Sequence, residues 1–365
     1  MDFSHDVSNY LIVLLKAAIN GEAPPPVPEG LSLEELFRLA QFHSVGNMAY
    51  YALEAAGADI PPRLSKPWAE LRDKAIMADV MFQADYEELS EVLKERGIRF
   101  LPLKGIIMKS LYPQSDYRTM SDIDMLIDPD NIERVKAIME ELGYENPDLG
   151  YEIHDVYHKP PVTSIEVHHE LFGDESKVYA PLFSDPWGMC SSSDGEWQFT
   201  HEAFFTFLLA HGMKHYDQGG TGVRTFMDIH LFLNHYSEKL DMERIFSMFE
   251  CTGQRKLCED IVAVSEMWFG DRERTEALSD MERYIFSGGT YGTFGNQAEI
   301  AIKNKGKAAY VWSKLFPDLK TMKKRYPVLE KAPVLLPVFW LVRMVTKPFA
   351  NRRENAEKLK ALMKK

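Results

Sequence analysis

The sequence predicts an α+β fold in which a small mixed sheet is flanked by N-terminal and C-terminal helical regions. Apolar residues recur at helical spacing before about residue 96 and again after residue 200, whereas short apolar runs occupy the segment between them. The chain has 365 residues, of which 45% are hydrophobic and 27% charged, a composition typical of a globular protein large enough for two or three domains. We therefore expect three regions: 1–96, 97–190 and 191–365.

The N-terminal region is predicted to be helical. Apolar residues at helical spacing predict helices at 9–19 and 64–96. Between these two helices, Ser32 and Glu35 have the spacing of a capping box, which indicates that another helix begins there. Gly97 follows the longer helix, where a glycine commonly terminates helical structure.

The middle region is predicted to contain four strands and two helices. Short apolar runs bounded by polar or turn residues indicate the strands, and longer runs at helical spacing indicate the helices. This order implies a small mixed sheet with helices packed on it. The strands are expected at 98–103, 122–127, 151–158 and 164–171, and the helices at 106–112 and 130–142, the second capped by Asp130 or Asn131.

The C-terminal region is again predicted to be helical. An apolar run at 332–345 contains Pro333, Pro337 and Arg343, so it is too short and too broken for a transmembrane helix. We expect it to form a buried helix, although the basic residues that follow leave an interfacial membrane contact open. The other helices are expected at 204–215, 226–236, 242–252, 256–268 and 280–286.

Charge is distributed very unevenly along the chain. The net charge is −13, but residues 301–365 contain seventeen basic and four acidic residues, a balance of +13, so the first 300 residues carry −26. An acidic body argues against duplex DNA as a partner, because duplex binding requires many cations at the phosphates. The basic tail is either solvated helical surface or a contact for RNA, an anionic membrane or the acidic body itself.

The cysteines and the first residues predict a cytoplasmic protein. The three cysteines, Cys190, Cys251 and Cys258, are odd in number and lack close pairing, which favours reduced thiols over a disulfide framework. The sequence starts Met-Asp-Phe-Ser-His-Asp, without the basic start of a secretory signal.

Three acidic residues are the strongest functional signal in the chain. Asp122 and Asp124 lie in a predicted strand with Ile123 between them, so the strand period places both carboxylates on one face. Glu166 lies in a second predicted strand with similar apolar flanks. Carboxylates this close repel one another unless a cation compensates them, and hard oxygen ligands suit Mg²⁺. The pattern therefore indicates phosphoryl-transfer chemistry, with a solvated edge strand as the structural alternative.

Basic residues before the acidic strand could bind phosphate. Lys104 and Gly105 lie between a predicted strand and a predicted helix, where backbone N–H groups favour anions and glycine allows close approach. Arg118 could also contact phosphate, or it could form an ion pair with Asp116 or Asp122.

These motifs resemble the uncharacterised bacterial nucleotidyltransferase family of the DNA polymerase β-like superfamily. The resemblance rests on Leu-Lys-Gly at 103–105, Arg118, Asp-x-Asp-x-Leu at 122–126 and Ile-Glu-Val-His at 165–168, and it covers about residues 100–172 with weaker similarity to about 235. It departs from the wider superfamily at the turn, where Ile106 replaces a second small residue that would contact the terminal phosphate.

The resemblance implies an enzyme that transfers a nucleoside monophosphate from an NTP, with ATP as one candidate, to an acceptor. It implies one or two Mg²⁺ ions held by Asp122, Asp124 and Glu166, with Glu166 helping the acceptor hydroxyl lose its proton. His168 would support Glu166 or a phosphate, with a packed strand histidine as the alternative. His211, Arg224 and Asp228 match positions that would face the nucleotide cleft.

His211 and His215 are four residues apart and therefore adjacent on one helix face. The pattern lacks the glutamate that follows the first histidine of a metalloprotease helix, and no nearby residue in the sequence completes a zinc shell. We expect core or cleft histidines without zinc.

Two classes of function remain open from the sequence. The first is the Mg²⁺-dependent nucleotidyltransferase, acting on a small-molecule acceptor that the sequence does not identify. The second is a nucleotide-binding or regulatory module that keeps the fold but turns over poorly, an alternative that the altered turn at Lys104-Gly105 supports.

Overall fold

The computed structural model describes residues 3–148, 153–193 and 196–350. As predicted, helices flank a central group of strands, and the fold class is α+β. The strands are β1 (Phe100–Pro102), β2 (Ile123–Ile127), β3 (Glu145–Asp148), β4 (His154–Lys159), β5 (Thr163–His168), β6 (Cys190–Ser193) and β7 (Glu196–Phe199). The helices before and among them are α1 (His5–Asn20), α2 (Leu33–Phe42), α3 (Gly46–Ala55), α4 (Pro62–Glu95), α5 (Gly105–Met108) and α6 (Ile132–Glu141). The helices after them are α7 (His201–Asp217), α8 (Val223–Tyr236), α9 (Met242–Met248), α10 (Arg255–Phe269), α11 (Glu276–Gly288), α12 (Phe294–Lys305), α13 (Lys307–Leu315), α14 (Leu319–Arg325), α15 (Val328–Lys331) and α16 (Leu336–Ala350).

The main sheet has five strands in the order β1-β2-β5-β4-β3. Strands β2 and β5 are parallel, and the other neighbouring pairs are antiparallel, so the sheet is mixed as predicted. The four predicted strands are present, although β4 begins at His154 and residues 151–152 lie outside the described part of the chain.

Three strands were not predicted. β3 has the sequence Glu-Asn-Pro-Asp, which contains residues that disfavour strands, and it pairs at the sheet edge with β4. β6 and β7 form a separate two-stranded sheet, in which β6 contains three serines and no apolar alternation. Pairing with a neighbour, not local composition, makes these segments strands.

The two faces of the main sheet pack against different layers. Ile123, Met125 and Ile127 of β2 face a buried cluster shared with α4 and α6. Leu126 of β2 and Leu101 of β1 belong to a larger buried cluster that also contains residues of the N-terminal and C-terminal helices. Because Asp124 alternates with Ile123 and Met125, its side chain projects toward the second layer.

Most predicted helices are present and slightly longer than expected. Ser32 Oγ accepts a hydrogen bond from the Glu35 backbone N–H at 3.2 Å, which confirms the predicted cap of α2. The reciprocal half of the capping box differs, since the Glu35 carboxylate accepts a hydrogen bond from the Ser4 N–H at 2.6 Å and so connects α2 to the start of α1. Gly97 has φ +62° after α4, as a terminating glycine should.

Three predicted helices have different limits or caps. The helix expected at 106–112 is a four-residue α5 followed by a 3₁₀ turn over 109–111. The helix expected at 242–252 ends at Met248. Asn131 precedes α6, but its side chain makes no capping bond and instead accepts from Arg134 Nη1 at 2.8 Å.

The apolar run at 332–345 is not the buried helix that we expected. It forms a 3₁₀ turn and the first part of α16, with Val334, Val338 and Leu341 85%, 53% and 63% exposed. On the opposite side of α16, the Trp340 side chain packs inward, and its Nε1 donates a hydrogen bond to the Pro317 carbonyl at 2.8 Å. Within the described residues, no helix combines the length and apolar character needed to cross a membrane.

Candidate active site

Strand pairing brings two of the three predicted acids together. Asp124 on β2 lies directly opposite Glu166 on the parallel strand β5. Side chains at paired positions lie on the same face of a sheet, so both carboxylates project into one cleft. Asp122 immediately precedes β2 and lines the same cleft. Asp122, Asp124 and Glu166 therefore line one cleft, with Asp124 and Glu166 held there by paired strands.

Asp124 is the best compensated of the three acids. Its Oδ1 accepts hydrogen bonds from Lys104 Nζ at 2.6 Å and from His168 Nε2 at 3.0 Å. Burial opposes the charged form, but the Lys104 ammonium and His168 outweigh it and hold the pKa of Asp124 well below its usual value. The same pairing raises the pKa of Lys104 against the effect of burial. The carboxyl group of Asp124 is therefore fully ionised at physiological pH.

Asp122 has the opposite electrostatic environment. Burial above all, with the charge of Asp124 next, raises the pKa of Asp122 to about 6. Repulsion between neighbouring carboxylates is the effect that the sequence pattern predicted for this strand. A divalent cation beside both groups would relieve that repulsion, so the cluster gains more from cation binding than an isolated carboxylate would.

His168 connects the two strand acids. Its Nε2 lies 3.0 Å from Asp124 Oδ1 and 3.3 Å from Glu166 Oε2. Burial opposes its protonated form, but the hydrogen bonds to the two carboxylates raise the pKa of His168. The same contact helps to lower the pKa of Glu166 against the effect of burial. The contact between His168 and Glu166 that we expected is therefore present.

The Lys104-Gly105 turn is strained and tightly packed. Lys104 has φ +43°, a conformation that residues with side chains rarely adopt. A Cβ atom at Gly105 would lie 2.6 Å from Arg118 Nη1 and 2.5 Å from Met120 Sδ. A larger residue here would force Met120 and Arg118 to shift, so glycine allows the close approach of Arg118 to the turn. The following helix has only four residues, so the expected contribution of a helix dipole at this position is small.

Arg118 forms an ion pair, but with a partner that the sequence did not suggest. Its Nε and Nη2 donate to Asp228 Oδ1 and Oδ2 at 2.9 and 2.7 Å, a bidentate pair, instead of contacting Asp116 or Asp122. Tyr112 Oη donates to the same Asp228 Oδ1 at 2.7 Å. Because Asp228 lies 110 residues away on α8, spacing in the sequence could not reveal this pair.

A second arginine, half-buried, lies beside the first. Arg224 Nη1 donates to the Thr119 carbonyl and to Thr119 Oγ1, and its guanidinium lines the cleft. Burial, followed by the charge of Arg118, lowers the pKa of Arg224. Two guanidinium groups and one carboxylate, that of Asp228, give this wall an excess of positive charge. Such a wall suits phosphate groups.

His211 and His215 lie on the α7 wall of the cleft, with their Nε2 atoms 3.0 Å apart. Burial lowers the pKa of both imidazoles, that of His215 to about 3. They are therefore neutral at physiological pH, and one donates a hydrogen bond to the other. The expectation that this pair binds no zinc stays a prediction.

The cleft has a volume of about 320 Å³ and lies between the sheet and the C-terminal helices. All ten predicted site residues line it. Sequence reasoning missed His154, Lys214 and Tyr291, which also line it. His154 could have been noticed as a polar residue in a predicted strand, whereas Tyr291 lies in a glycine-rich turn that carries no such signal.

The donor atoms fit a hard divalent cation. Asp122, Asp124 and Glu166 supply carboxylate oxygens, the ligands that Mg²⁺ prefers. Burial first, and the charge of Asp124 next, raise the pKa of Asp122, so a cation beside it would favour its ionised form. These residues could therefore hold Mg²⁺, with Lys104 and the arginine wall on either side for the phosphates.

Acids on adjacent strands beside a basic wall define a class of protein, the enzymes that transfer phosphorus-containing groups. A family model agrees with this class. The chain belongs to the uncharacterised nucleotidyltransferase family, whose model matches residues 29–270. The match extends beyond the predicted 100–235 and includes most of the N-terminal helices and α10. No curated protein and no solved structure matches the chain.

Proposed function

We propose that the protein transfers a nucleoside monophosphate from an NTP, such as ATP, to a hydroxyl group of a small-molecule acceptor. The observation that carries this proposal is the register of β2 and β5, which sets Asp124 opposite Glu166 beside Asp122. Membership of the nucleotidyltransferase family supports the reaction class. The acceptor oxygen would form a bond to the α-phosphorus, and the bond to the β-phosphate oxygen would break, releasing pyrophosphate.

The basic side chains of the cleft would bind the triphosphate. Arg118 and Arg224 form a largely buried wall in which Arg118 pairs with Asp228, and Lys104 lies on the side of the acids. Guanidinium groups held by Asp228 and Thr119 are already oriented, so phosphate binding orders few side chains. His211 and Asp228 would complete the nucleotide side of the cleft.

Glu166 would accept the proton of the acceptor hydroxyl. Its pKa is lowered, so it is ionised at neutral pH and able to act as a base. His168 fixes the position of both Glu166 and Asp124 through its Nε2. Mg²⁺, as one or two ions on Asp122, Asp124 and Glu166, would neutralise charge on the phosphates and lower the pKa of the acceptor hydroxyl.

The test is turnover of NTPs labelled at the α-phosphate, with Mg²⁺ and a metabolite extract. We expect pyrophosphate release and a matching gain of a nucleoside monophosphate mass on one small molecule. EDTA should abolish both signals. Pyrophosphate release without a modified acceptor, or phosphate release alone, would contradict nucleotidyl transfer.

The alternative is a nucleotide-binding module with weak turnover, and the Lys104–Asp124 ion pair favours it. A lysine bonded to a proposed metal ligand at 2.6 Å competes with a metal for that carboxylate. In that case nucleotide should bind with Mg²⁺, but the acceptor screen should show no transfer. Lys104→Met should then increase Mg²⁺ affinity without producing turnover.

The C-terminal part of the chain favours a second role, contact with an anionic membrane surface. Val334, Val338 and Leu341 form an exposed apolar strip on one side of the turn and of α16. Residues 301–365 carry a balance of +13, which complements anionic lipid headgroups. An exposed apolar strip next to basic residues is the pattern of a helix that lies in a membrane interface.

Vesicles of phosphatidylglycerol and phosphatidylcholine test this contact by co-sedimentation. We expect binding that decreases steeply with salt and is lost in the Val338→Lys, Leu341→Lys double variant. Val80→Lys is the control, because Val80 is an equally exposed apolar residue on α4. Concentration-dependent dimers that the double variant abolishes, without vesicle binding, would show instead that the strip is covered by a second copy.

The location and the division of the chain remain proposals. Free Cys190, Cys251 and Cys258 favour a reducing compartment such as the cytoplasm. The three regions, 1–96, 97–190 and 191–365, would correspond to an N-terminal helical region, the nucleotidyltransferase core and a C-terminal helical region with the basic tail.

A further inference from the structure

Four metal-binding side chains on three neighbouring strands converge in the cleft. Asp124 lies on β2, Glu166 and His168 lie on β5, and His154 lies on β4. Asp124 is paired with Glu166, and His154 is paired with His168 in the antiparallel ladder. All four side chains therefore project from the same face of the sheet, held by strands and not by loops.

The donor atoms of His154, Glu166 and His168 have the spacing of a coordination shell, and Asp124 lies next to His168. His168 Nε2 lies 3.0 Å from Asp124 Oδ1 and 3.3 Å from Glu166 Oε2, and His154 Nε2 lies 3.7 Å from the same Glu166 oxygen. One ligand atom each from His154, Glu166 and His168 lies within 4.8 Å of the other two. Ligands bound at about 2.0–2.2 Å around one cation are separated from one another by about 3–4 Å.

We propose that His154, Glu166 and His168, together with Asp124, form a site for a divalent first-row transition metal, with Mn²⁺ preferred over Mg²⁺. This inference rests on the proposed function, since it specifies the metal of the same cleft. It changes the expected cofactor, because the acids alone suggest Mg²⁺, whereas the strand pairing adds two imidazoles.

The chemistry of the donors decides between the two metals. Mg²⁺ binds oxygen ligands almost exclusively and keeps several waters, so imidazole nitrogens contribute little to its affinity. Mn²⁺ has the lowest affinity of the first-row series for such donors, but as a transition-metal ion it accepts imidazole nitrogens directly, which Mg²⁺ does little. Two nitrogens and two carboxylates therefore give selectivity for a transition metal, while Asp122 remains available to a metal that travels with the nucleotide.

The competing explanation is a hydrogen-bonded network without metal. His168 donating to Asp124 and Glu166 would account for the two shorter distances. His154 Nε2, at 3.7 Å from the same Glu166 oxygen, is beyond hydrogen-bond distance and would join such a network only as a weaker ion-pair contact. A hydrogen-bonded network predicts no selectivity among divalent cations, so metal binding separates the two explanations.

The experiment is pulsed EPR on the full-length protein loaded with Mn²⁺ after removal of metals with EDTA. Directly bound imidazole nitrogens produce ¹⁴N modulation of the Mn²⁺ signal. We expect this modulation, and we expect it to change to the ¹⁵N pattern in protein grown with ¹⁵N-histidine. Titration of Mn²⁺ in competition with Mg²⁺ should give at least a tenfold preference for Mn²⁺.

The variants identify which histidines bind. His154→Gln should remove one nitrogen from the modulation and reduce Mn²⁺ affinity by about tenfold or more, with Mg²⁺ affinity unchanged. His158→Gln is the matched control, because His158 lies on the same strand and the same face but is exposed and paired with Ser164. It should bind Mn²⁺ like the unmodified protein.

The outcomes separate this inference from the proposed function. Mn²⁺ bound without nitrogen modulation, or equal affinities for Mn²⁺ and Mg²⁺, would overturn the transition-metal site even if nucleotidyl transfer occurs. Nitrogen modulation that persists unchanged in the His154→Gln variant would exclude His154 from the shell. A nitrogen-bound Mn²⁺ without any transfer would leave the metal site standing and refute the proposed reaction.

Discussion

Asp122 and Asp124 are two residues apart, yet their charges have opposite effects on the fold. The pKa of Asp122 is raised to about 6 by burial and by Asp124, whereas Lys104 and His168 keep the pKa of Asp124 low. The sequence alone suggests that Asp124→Asn relieves repulsion and preserves or increases stability. The contacts of Asp124 indicate the reverse, because its carboxylate is the one that is compensated.

We therefore predict opposite effects of two matched substitutions on the free energy of unfolding at pH 8 in EDTA. Asp122→Asn should increase it by roughly 1 kcal/mol, a value reduced for solvent screening, and Asp124→Asn should decrease it by roughly 1–3 kcal/mol. Because its pKa is raised, Asp122 binds a proton more readily in the folded protein than in the unfolded chain. The contribution of the protonated carboxyl to the free energy of unfolding is therefore lost as pH rises from about 4 through about 6.

Urea unfolding at pH 5 and pH 8 measures both effects. The gain from Asp122→Asn should shrink at pH 5, where the carboxyl of Asp122 is largely protonated. Equal destabilisation by the two substitutions would show that repulsion is not concentrated at Asp122.

Substitution of Asp124 or Glu166 should also reduce activity. Asp124→Asn and Glu166→Gln should each lower kcat by about a hundredfold or more, since a metal contributes several kcal/mol and each 1.36 kcal/mol is tenfold in rate. Glu166→Gln should retain part of the Mg–NTP binding, because under the proposed function Asp122 and Asp124 would still hold the nucleotide-bound metal. Steady-state kinetics with equilibrium nucleotide binding distinguishes the two variants. Full metal-dependent activity of the Asp124→Asn variant would rule out its proposed role.

At the scale of elements, the buried Arg118–Asp228 pair connects α8 to the segment between the turn and β2. Both side chains are buried, and Asp228 also accepts the hydrogen bond from Tyr112. Removing one charge of a buried pair leaves the other uncompensated, here beside a second guanidinium, that of Arg224.

Asp228→Asn should therefore lower the free energy of unfolding by about 3–5 kcal/mol. Asp280→Asn is the control, because it breaks the exposed Asp280–Arg283 pair on α11 and should change stability by less than about 1 kcal/mol. Urea unfolding of the three proteins at pH 7 makes the comparison. A similar small loss in both variants would indicate that the cleft is open to solvent around Arg118.

At the scale of the whole molecule, His43 lies where the N-terminal helices meet the C-terminal ones. Its fully buried ring accepts from the Val223 N–H at 3.4 Å and lies 3.4 Å from the Phe286 carbonyl. Burial lowers the pKa of His43 to about 4. The contacts require a neutral ring with its proton on Nε2.

Acidification should destabilise the whole fold through this residue. Above about pH 6.5 the ring is neutral in both states, so it adds no pH dependence; between about 6.5 and 4 only the unfolded chain binds the proton. Protonation of His43 in the unfolded chain should lower the free energy of unfolding by roughly 2 kcal/mol between pH 7 and pH 5. Urea unfolding measures this effect. Over the same pH range, the free energy of unfolding of the His43→Gln variant should fall by roughly 2 kcal/mol less than that of the unmodified protein. Parallel curves for both proteins would assign the acid sensitivity to other groups.

Local pattern was sufficient for much of the fold and of the site. The period of two in 122–127 placed Asp122 and Asp124 on one face, and Ser32 and Gly97 marked a helix start and a helix end. These features depend on residues a few positions apart, whose geometry the backbone dictates. Asp122, Lys104, Gly105 and His168 lie at the ends of such elements, and Asp124 and Glu166 lie within them, so local pattern indicated residues that line the cleft.

Only the tertiary structure determined which distant residues contact one another. The pairing of β4 with β5 brings His154 to His168, and α8 supplies Asp228 to Arg118 across 110 residues. The exposure of α16 and the strand β3 also depend on what lies alongside them. Register, ion-pair choice and burial are set by contacts between distant segments, and an apolar run or a charged residue has the same local pattern whichever neighbour it meets.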